Sequence, residues 1–281
     1  MTGRVVTLGN AVVDVVARVP ALPPPGGEVV ADGGPEPGGG GLRVVLAARA
    51  AGAQAVFAGR IGAGPFGDSV RAALAHAGVP VLLGPVQGDD TGAVLTFVHP
   101  DGERGFVTLP GAELADPALD DVRVDAGDLV HVSGYGLRGA GRSASIARFL
   151  AGLPRAVPVL LDPGHVGARP EAALLDRVDW WSGSAVEATD ATGLQDPLAA
   201  ATALGPRFRR GAVVRLGADG CLLATGRAAP VHLPAPPVRV SSTNGAGDTH
   251  VGTFLAALAD GADPRSAAEA ANAAAAAFVA G

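Results

Sequence analysis

The segment densest in chemistry is 241–252, SSTNGAGDTHVG, which runs into the apolar, helically spaced FLAALADG. Gly245, Ala246 and Gly247 carry almost no side chain, so a ligand can come close to the backbone there. A turn of this kind that opens a helix presents unpaired N–H groups toward an anion, which suits a phosphate in transfer. Asp248 then falls in the first helical turn. A carboxylate at that point can take the proton of an attacking hydroxyl while the N–H groups stabilise the phosphoryl oxygens. Asp248 also reads as an ordinary acid favoured at a helix start by the dipole.

A second glycine pattern, Gly62-Ala63-Gly64-Pro65-Phe66-Gly67, satisfies G-x-G-x-x-G between a strand and a helix. A dinucleotide site also needs an acid at the end of the next strand to hold the ribose, and VPVLLG offers none, so NAD binding is set aside. Every basic residue is Arg and no Lys occurs, which excludes a Walker-type phosphate loop. The formal net charge is −6 without a basic stretch, so no nucleic-acid partner is expected. Cys221 is the single cysteine, which rules out an intramolecular disulfide and a Cys-rich zinc site. The six His lie without metal-ligand spacing and read as surface or packing residues. The opening MTGRVVTLGN does not read as a signal peptide, and the final AANAAAAAFVAG is too short to span a membrane. The expectation is a soluble cytoplasmic protein with no membrane partner.

The elements that must position Asp248 follow from the hydrophobic pattern. Strand candidates are 4–8, 54–58, 79–83, 129–132, 157–161, 212–216 and 221–224; helix candidates between them are 42–51, 67–77, 142–150, 170–177 and 198–204. Alternation of this kind predicts an α/β fold with a mostly parallel central sheet flanked by helices on both faces. Such sheets bind ligands beyond the carboxyl ends of their strands. Across 281 residues no linker separates two halves, so a single α/β domain over 1–281 is expected. Two segments break the alternation, about 12–34 and 90–110. The second reads as a hairpin around Pro100-Asp101-Gly102. Together they form either a small β lid over the ligand site or ordinary surface strands.

These segments carry a resemblance to the ribokinase (PfkB-type) carbohydrate kinase family, in the family's order and over nearly the whole chain. The motifs are GNAVVD at 9–14, the glycine-rich stretch from 38 with GRIGAGPFGDSV, DWWSGSAVEATDATG at 179–193, VVRLGADG at 213–220 and TNGAGD at 243–248. The resemblance implies a ribokinase-like fold with the two odd segments as lid. It implies an ATP-dependent kinase acting on a hydroxyl of a sugar or sugar derivative. Asp248 would be the base, and Gly245, Ala246 and Gly247 the anion hole. Asp14 would hold a vicinal diol, with Gly39, Gly40 and Arg43 beside the substrate. Ser184, Arg215, Gly217, Gly220 and Asn272 would lie around the nucleotide. Glu187 would help position Mg²⁺ through waters, since that ion gives up its hydration reluctantly.

The departures are specific. Arg43 and Ser184 stand where the family's motifs carry Asn, Ser242 where the second signature opens with Asp, and His250 where Phe is usual. The family's monovalent-cation site often uses that Asp, so such a site is in question. Arg43 either faces an acidic or phosphorylated substrate, pairs with an acid such as Asp14, or turns outward. Two other functions stay open: a nucleoside (adenosine-like) kinase, and a non-catalytic relative that binds a small molecule. Exposed lid edges also allow a homodimer.

Overall fold

The fold is described from a computed structural model, which covers residues 3–100, 103–138, 141–164 and 170–281. In its first half the elements are β1 Arg4–Leu8, β2 Val12–Arg18, β3 Asp32–Gly38, α1 Gly40–Ala50, β4 Gln54–Phe57, α2 Pro65–His76, β5 Ala93–Val98 and β6 Arg104–Leu109. There follow β7 Leu129–Ser133, α3 Arg142–Gly152, β8 Val159–Asp162, α4 Ala172–Leu175, β9 Trp180–Ser184, α5 Ala185–Thr192 and α6 Pro197–Leu204. The chain closes with β10 Gly211–Arg215, β11 Cys221–Ala224, β12 Val231–Leu233, α7 Ala246–Ala259 and α8 Pro264–Ala280.

Eight strands make the large sheet, in the order β12-β11-β10-β9-β8-β7-β1-β4. From β10 to β4 every pairing is parallel; β11 and β12 add antiparallel at one edge. The aliphatic runs RVVTL, LVHVS and VLLD show no polar alternation because both faces of these strands are covered. Successive side chains go to opposite cores. Val6, Leu8, Val130, Val132 and Leu161 pack with Ile146 and Leu150 of α3 and Leu204 of α6. Val5, Leu129, Leu160 and Val213 pack with Leu42 and Val45 of α1 and Val251 and Phe254 of α7. Trp180 meets Phe254 edge to face, centroids 5.4 Å apart, and so seats α7 on β9.

The smaller sheet has four strands in the order β3-β2-β5-β6, with β2 and β5 parallel and the outer pairs antiparallel. It is built from the two segments that interrupt the βα alternation. Its edge strand β3, DGGPEPG, tolerates two prolines because an edge needs fewer N–H donors. Of the turn expected at Pro100-Asp101-Gly102, Asp101 and Gly102 lie outside the described residues.

Two expected elements differ in the structure, and a strand outside the candidates appears at the centre of the large sheet. Residues 79–83 are not a strand: only Val81 bridges, to Phe57, and Pro80 supplies no N–H to extend the ladder. The helix expected over 170–177 is a single turn, Ala172–Leu175. Trp180–Ser184 is a central strand although WWSGS is poor in strand formers beyond its tryptophans; β8 and β10 on either side supply its ladder.

The two ends of the large sheet do different work. At the amino ends, buried carboxylates fix the strands: Asp128 to Arg4 at 2.6 Å, and Asp179 between buried Arg177 at 3.1 Å and half-exposed Arg209 at 2.6 Å. At the carboxyl ends, Ser133, Asp162, Ser184 and Arg215 close β7, β8, β9 and β10, and Asn10 follows β1.

Candidate active site

A cavity of about 740 Å³ lies beyond those carboxyl ends. The large sheet and its helices contribute Asn10, Asp162, Glu187, Arg215, Gly247 and Asp248; the smaller sheet covers it with Val12, Asp14, Val94, Thr96, Phe106 and Thr108. Gly39, Gly40 and Arg43 at the start of α1 complete that wall.

Asp248 sits in the first turn of α7, behind Gly245 at φ 89°, a left-handed conformation that favours glycine. No side chain caps this helix, and the amides of Gly247 and Asp248 have no acceptor among the described residues. Two orphan donors and the positive end of the dipole therefore lie beside the carboxyl. Burial, reinforced by the neighbouring Asp162 carboxylate, pushes Asp248 up to about 7, against the opposing pull of Arg43 and Arg215. Gly40 is pressed close: a Cβ there would lie 3.4 Å from Asp248 Oδ1 and 3.4 Å from Ser133 Oγ.

Arg215 extends from the end of β10 along the same wall. It donates to Ser182 Oγ at 2.9 Å and to Asp162 Oδ1 at 3.3 Å, and lies 3.6 Å from Glu187 Oε2. A Cβ on Gly247 would meet its Nε at 3.5 Å. Arg215 thus borders the start of α7 directly. Asp162 was not singled out from sequence; its signal is an acid closing a strand candidate, in LLDPG, and nothing local marks it further.

Ser184 and Glu187 are joined in a capping box at the start of α5. The Ser184 N–H donates to Glu187 Oε2 at 2.6 Å, and the Glu187 N–H donates to Ser184 Oγ at 3.2 Å. The serine hydroxyl is thereby used on the helix, and Glu187 faces the cavity with its other oxygen, Oε1, uncommitted among the described residues.

Arg43 and Asp14 meet across the cavity, Nη2 donating to Oδ2 at 2.5 Å, with Glu36 Oε1 3.9 Å away. With its amide oxygen turned toward the guanidinium, Asn244 accepts from Nη1 at 3.0 Å and Nη2 at 3.2 Å. Burial raises the Asp14 pKa and the Arg43 charge opposes that rise. A Cβ on Gly38 would overlap the Asp14 carboxylate, so glycine is required where β3 passes it.

The cavity thus gathers Asp14, Gly39, Gly40, Arg43, Glu187, Arg215, Gly247 and Asp248, with Gly245 and Ala246 in the turn behind. Gly217, Gly220 and Asn272 are not part of its lining. Asn272 is buried and donates to the carbonyls of Leu233 at 2.9 Å and Pro234 at 3.4 Å, fixing the chain after β12. His250 is also buried, held down to about 3 by desolvation and the Arg215 charge, so it is a neutral imidazole in the core. Among the described residues no helix is long and apolar enough to cross a membrane.

The pfkB family carbohydrate kinase pattern matches residues 2–280. Over 268 residues the chain is 31% identical to the uncharacterized sugar kinase YegV of Escherichia coli K12, covering 92% of this chain and 82% of that one. Its fold matches a ribokinase of Cryptococcus neoformans var. grubii serotype A in complex with ADP at TM-score 0.84 and 22% identity, covering 100% and 94% of the two chains. It matches Arabidopsis thaliana ribokinase complexed with ribose and ATP at TM-score 0.81 and 24% identity, covering 99% and 92%. Since the family pattern runs almost from end to end and YegV shares nearly a third of its residues, this chain belongs to the pfkB family of carbohydrate kinases.

Proposed function

We propose that the protein transfers the γ-phosphate of ATP to a hydroxyl of a sugar or sugar derivative. The observation that carries this reading is Asp248, a carboxyl raised to about 7, in the first turn of a helix where the amides of Gly247 and Asp248 have no acceptor among the described residues. The acceptor hydroxyl gives its proton to Asp248 as its oxygen bonds to the γ-phosphorus, and the bond from that phosphorus to the β,γ-bridging oxygen breaks to release ADP. The amides of Gly247 and Asp248, presented by the Gly245-Ala246-Gly247 turn, and the Arg215 guanidinium hold the phosphoryl oxygens as charge redistributes, while the Ala246 N–H stays on the Thr243 carbonyl at 3.3 Å. Asp14, with Arg43 on one oxygen, keeps the other for sugar hydroxyls, and Gly39 and Gly40 let the ring approach the backbone. The smaller sheet acts as the lid that excludes water. ATP as donor is supported by the nucleotides held by the Cryptococcus and Arabidopsis ribokinases.

The donor set fits Mg²⁺. Among the described residues no three carboxylate, thiol or imidazole groups converge to cage a metal, yet Glu187 presents a free oxygen to the cavity. That is what an ion held largely by phosphates and waters needs. Glu187 would hold it, and the ion supplies neutralisation of the phosphate charge.

The test is ADP release with Mg-ATP against a panel of sugars, sugar derivatives and nucleosides. Acceptor-dependent release on a sugar, abolished in Asp248→Asn, is expected. Tight acceptor binding with no release on any member would replace the kinase by a binding protein, and release confined to nucleosides would replace the sugar.

A further inference from the structure

We propose that Arg138 forms an anion subsite in the acceptor cavity, so that the sugar phosphorylated here already carries a phosphate or carboxylate group. This rests on the kinase reading above and names its substrate class.

Arg43, Arg138 and Arg215 all line the cavity. Two of them are neutralised within the protein: Arg43 by Asp14 at 2.5 Å, and Arg215 by Asp162 at 3.3 Å with Glu187 at 3.6 Å. Arg138 has no carboxylate within ion-pair distance among the described residues. Glu113, also in the cavity lining, accepts from the Gly92 N–H at 2.8 Å and the Gly111 N–H at 3.0 Å and makes no ion pair with Arg138. Arg138 is instead placed against Tyr135, its guanidinium carbon 5.6 Å from the ring centroid. A guanidinium held this way keeps in-plane donors free, in the fork geometry that fits a phosphate or carboxylate.

The residue is positioned rather than loose. It follows the tight turn Gly134–Leu137 at the end of β7, and its N–H reaches back to the Tyr135 carbonyl at 3.5 Å. Arg142, itself buried, pins that turn by donating to the Gly136 carbonyl at 2.8 Å and to the Ala115 carbonyl. Tyr135 also ties the subsite to the reacting end. A Cβ on Gly40 would lie 3.5 Å from the Tyr135 ring and 3.4 Å from Asp248 Oδ1, so both flank one point of the cavity. A sugar with one hydroxyl at Asp248 can therefore present a charged group to Arg138. A neutral sugar would cover that cation without bringing it a counter-charge, which is unfavourable.

The experiment compares kcat/KM of the whole protein on free sugars, their terminal phosphates and their aldonic acids, with Mg-ATP. We expect the wild type to prefer an anionic member by about tenfold or more, the scale of one charge-assisted hydrogen bond. Arg138→Gln should collapse that preference through the acceptor KM, and Arg138→Lys should keep part of it. Preference for neutral sugars, equal loss on both members of a pair, or a rise in the KM for ATP in place of the acceptor's would overturn the subsite. If no sugar turns over, the kinase reading fails separately, and the subsite is read by thermal shift. Sugar phosphates should then raise the melting temperature of the wild type but not of Arg138→Gln; no shift in the wild type would overturn it.

Discussion

Arg43 on α1 and Asp14 on β2 are bonded at 2.5 Å, a pair 29 residues apart in sequence that ties the first helix on the large sheet to the smaller sheet. Both side chains are largely buried, 18% and 13% exposed, so neither charge is well solvated without the other. Asp14→Asn and Arg43→Asn should each cost about 1–3 kcal/mol, the penalty of stranding a partly buried polar partner. The double variant should cost less than the sum of the two by about 0.5–3 kcal/mol. Urea unfolding near neutral pH measures all three. Strict additivity would mean the pair is a contact without energetic consequence.

In the proposed reaction Asp248 accepts a proton and takes no part in holding ATP. Asp248→Asn should lower turnover by at least ~10²-fold while ATP affinity, read by calorimetry, changes little. Near-normal turnover in that variant would remove Asp248 from the chemistry.

The raised Asp248 pKa has a sign in both activity and stability. The base must be ionised, so acceptor kcat/KM should rise with pH through about 7. After burial, Asp162 is the charge that raises it most, so Asp162→Asn should move this limb to lower pH. For stability, the unfolded chain loses the Asp248 proton near its ordinary value of ~3.9, well before the folded chain does. Between there and about 7 the folded state holds more protons, so this residue makes stability fall as pH rises. Asp248→Asn removes that slope, so its melting temperature should gain on the wild type as pH rises from about 4 to about 7 and hold that gain above it. An acid limb unmoved by Asp162→Asn would separate the two carboxylates.

What the sequence made readable was local, and what it hid was long-range. The aliphatic runs at Arg4–Leu8 and Cys221–Ala224 set their own strand bounds, and the TNGAGD turn marked Asp248 by residue type and order alone. Asp162 and Arg138 belong to no motif. They reach the cavity only because parallel crossovers bring the ends of β8 and β7 beside α7. Ser184 and Asn272 could be located from the pattern, but not their engagement, one capping α5 and the other holding the carbonyls after β12. Arg43 left several readings open because its partner lies on another sheet.

Ser242 decides whether a monovalent cation takes part. It stands where the family's second signature carries Asp, and it brings no formal charge to hold K⁺. The structure adds a reason beyond the missing carboxylate. Arg104, from β6, donates to Ser242 Oγ at 3.0 Å, so a guanidinium already occupies the neighbourhood a cation would need. Ser242 Oγ also receives the Asn244 N–H at 3.4 Å, which uses it to shape the turn leading into α7. A second positive charge at this point would be repelled by Arg104, and Ser242 itself offers it only a neutral oxygen. Turnover should therefore be nearly the same in K⁺ and in a bulky organic cation at equal ionic strength. Ser242→Asp should pair with Arg104 before it binds K⁺, and only the double change with Arg104→Gln should make K⁺ activation possible. Strong K⁺ dependence of the natural protein, measured by ADP release, would show that backbone carbonyls alone build the site and that the Arg104 contact does not oppose it.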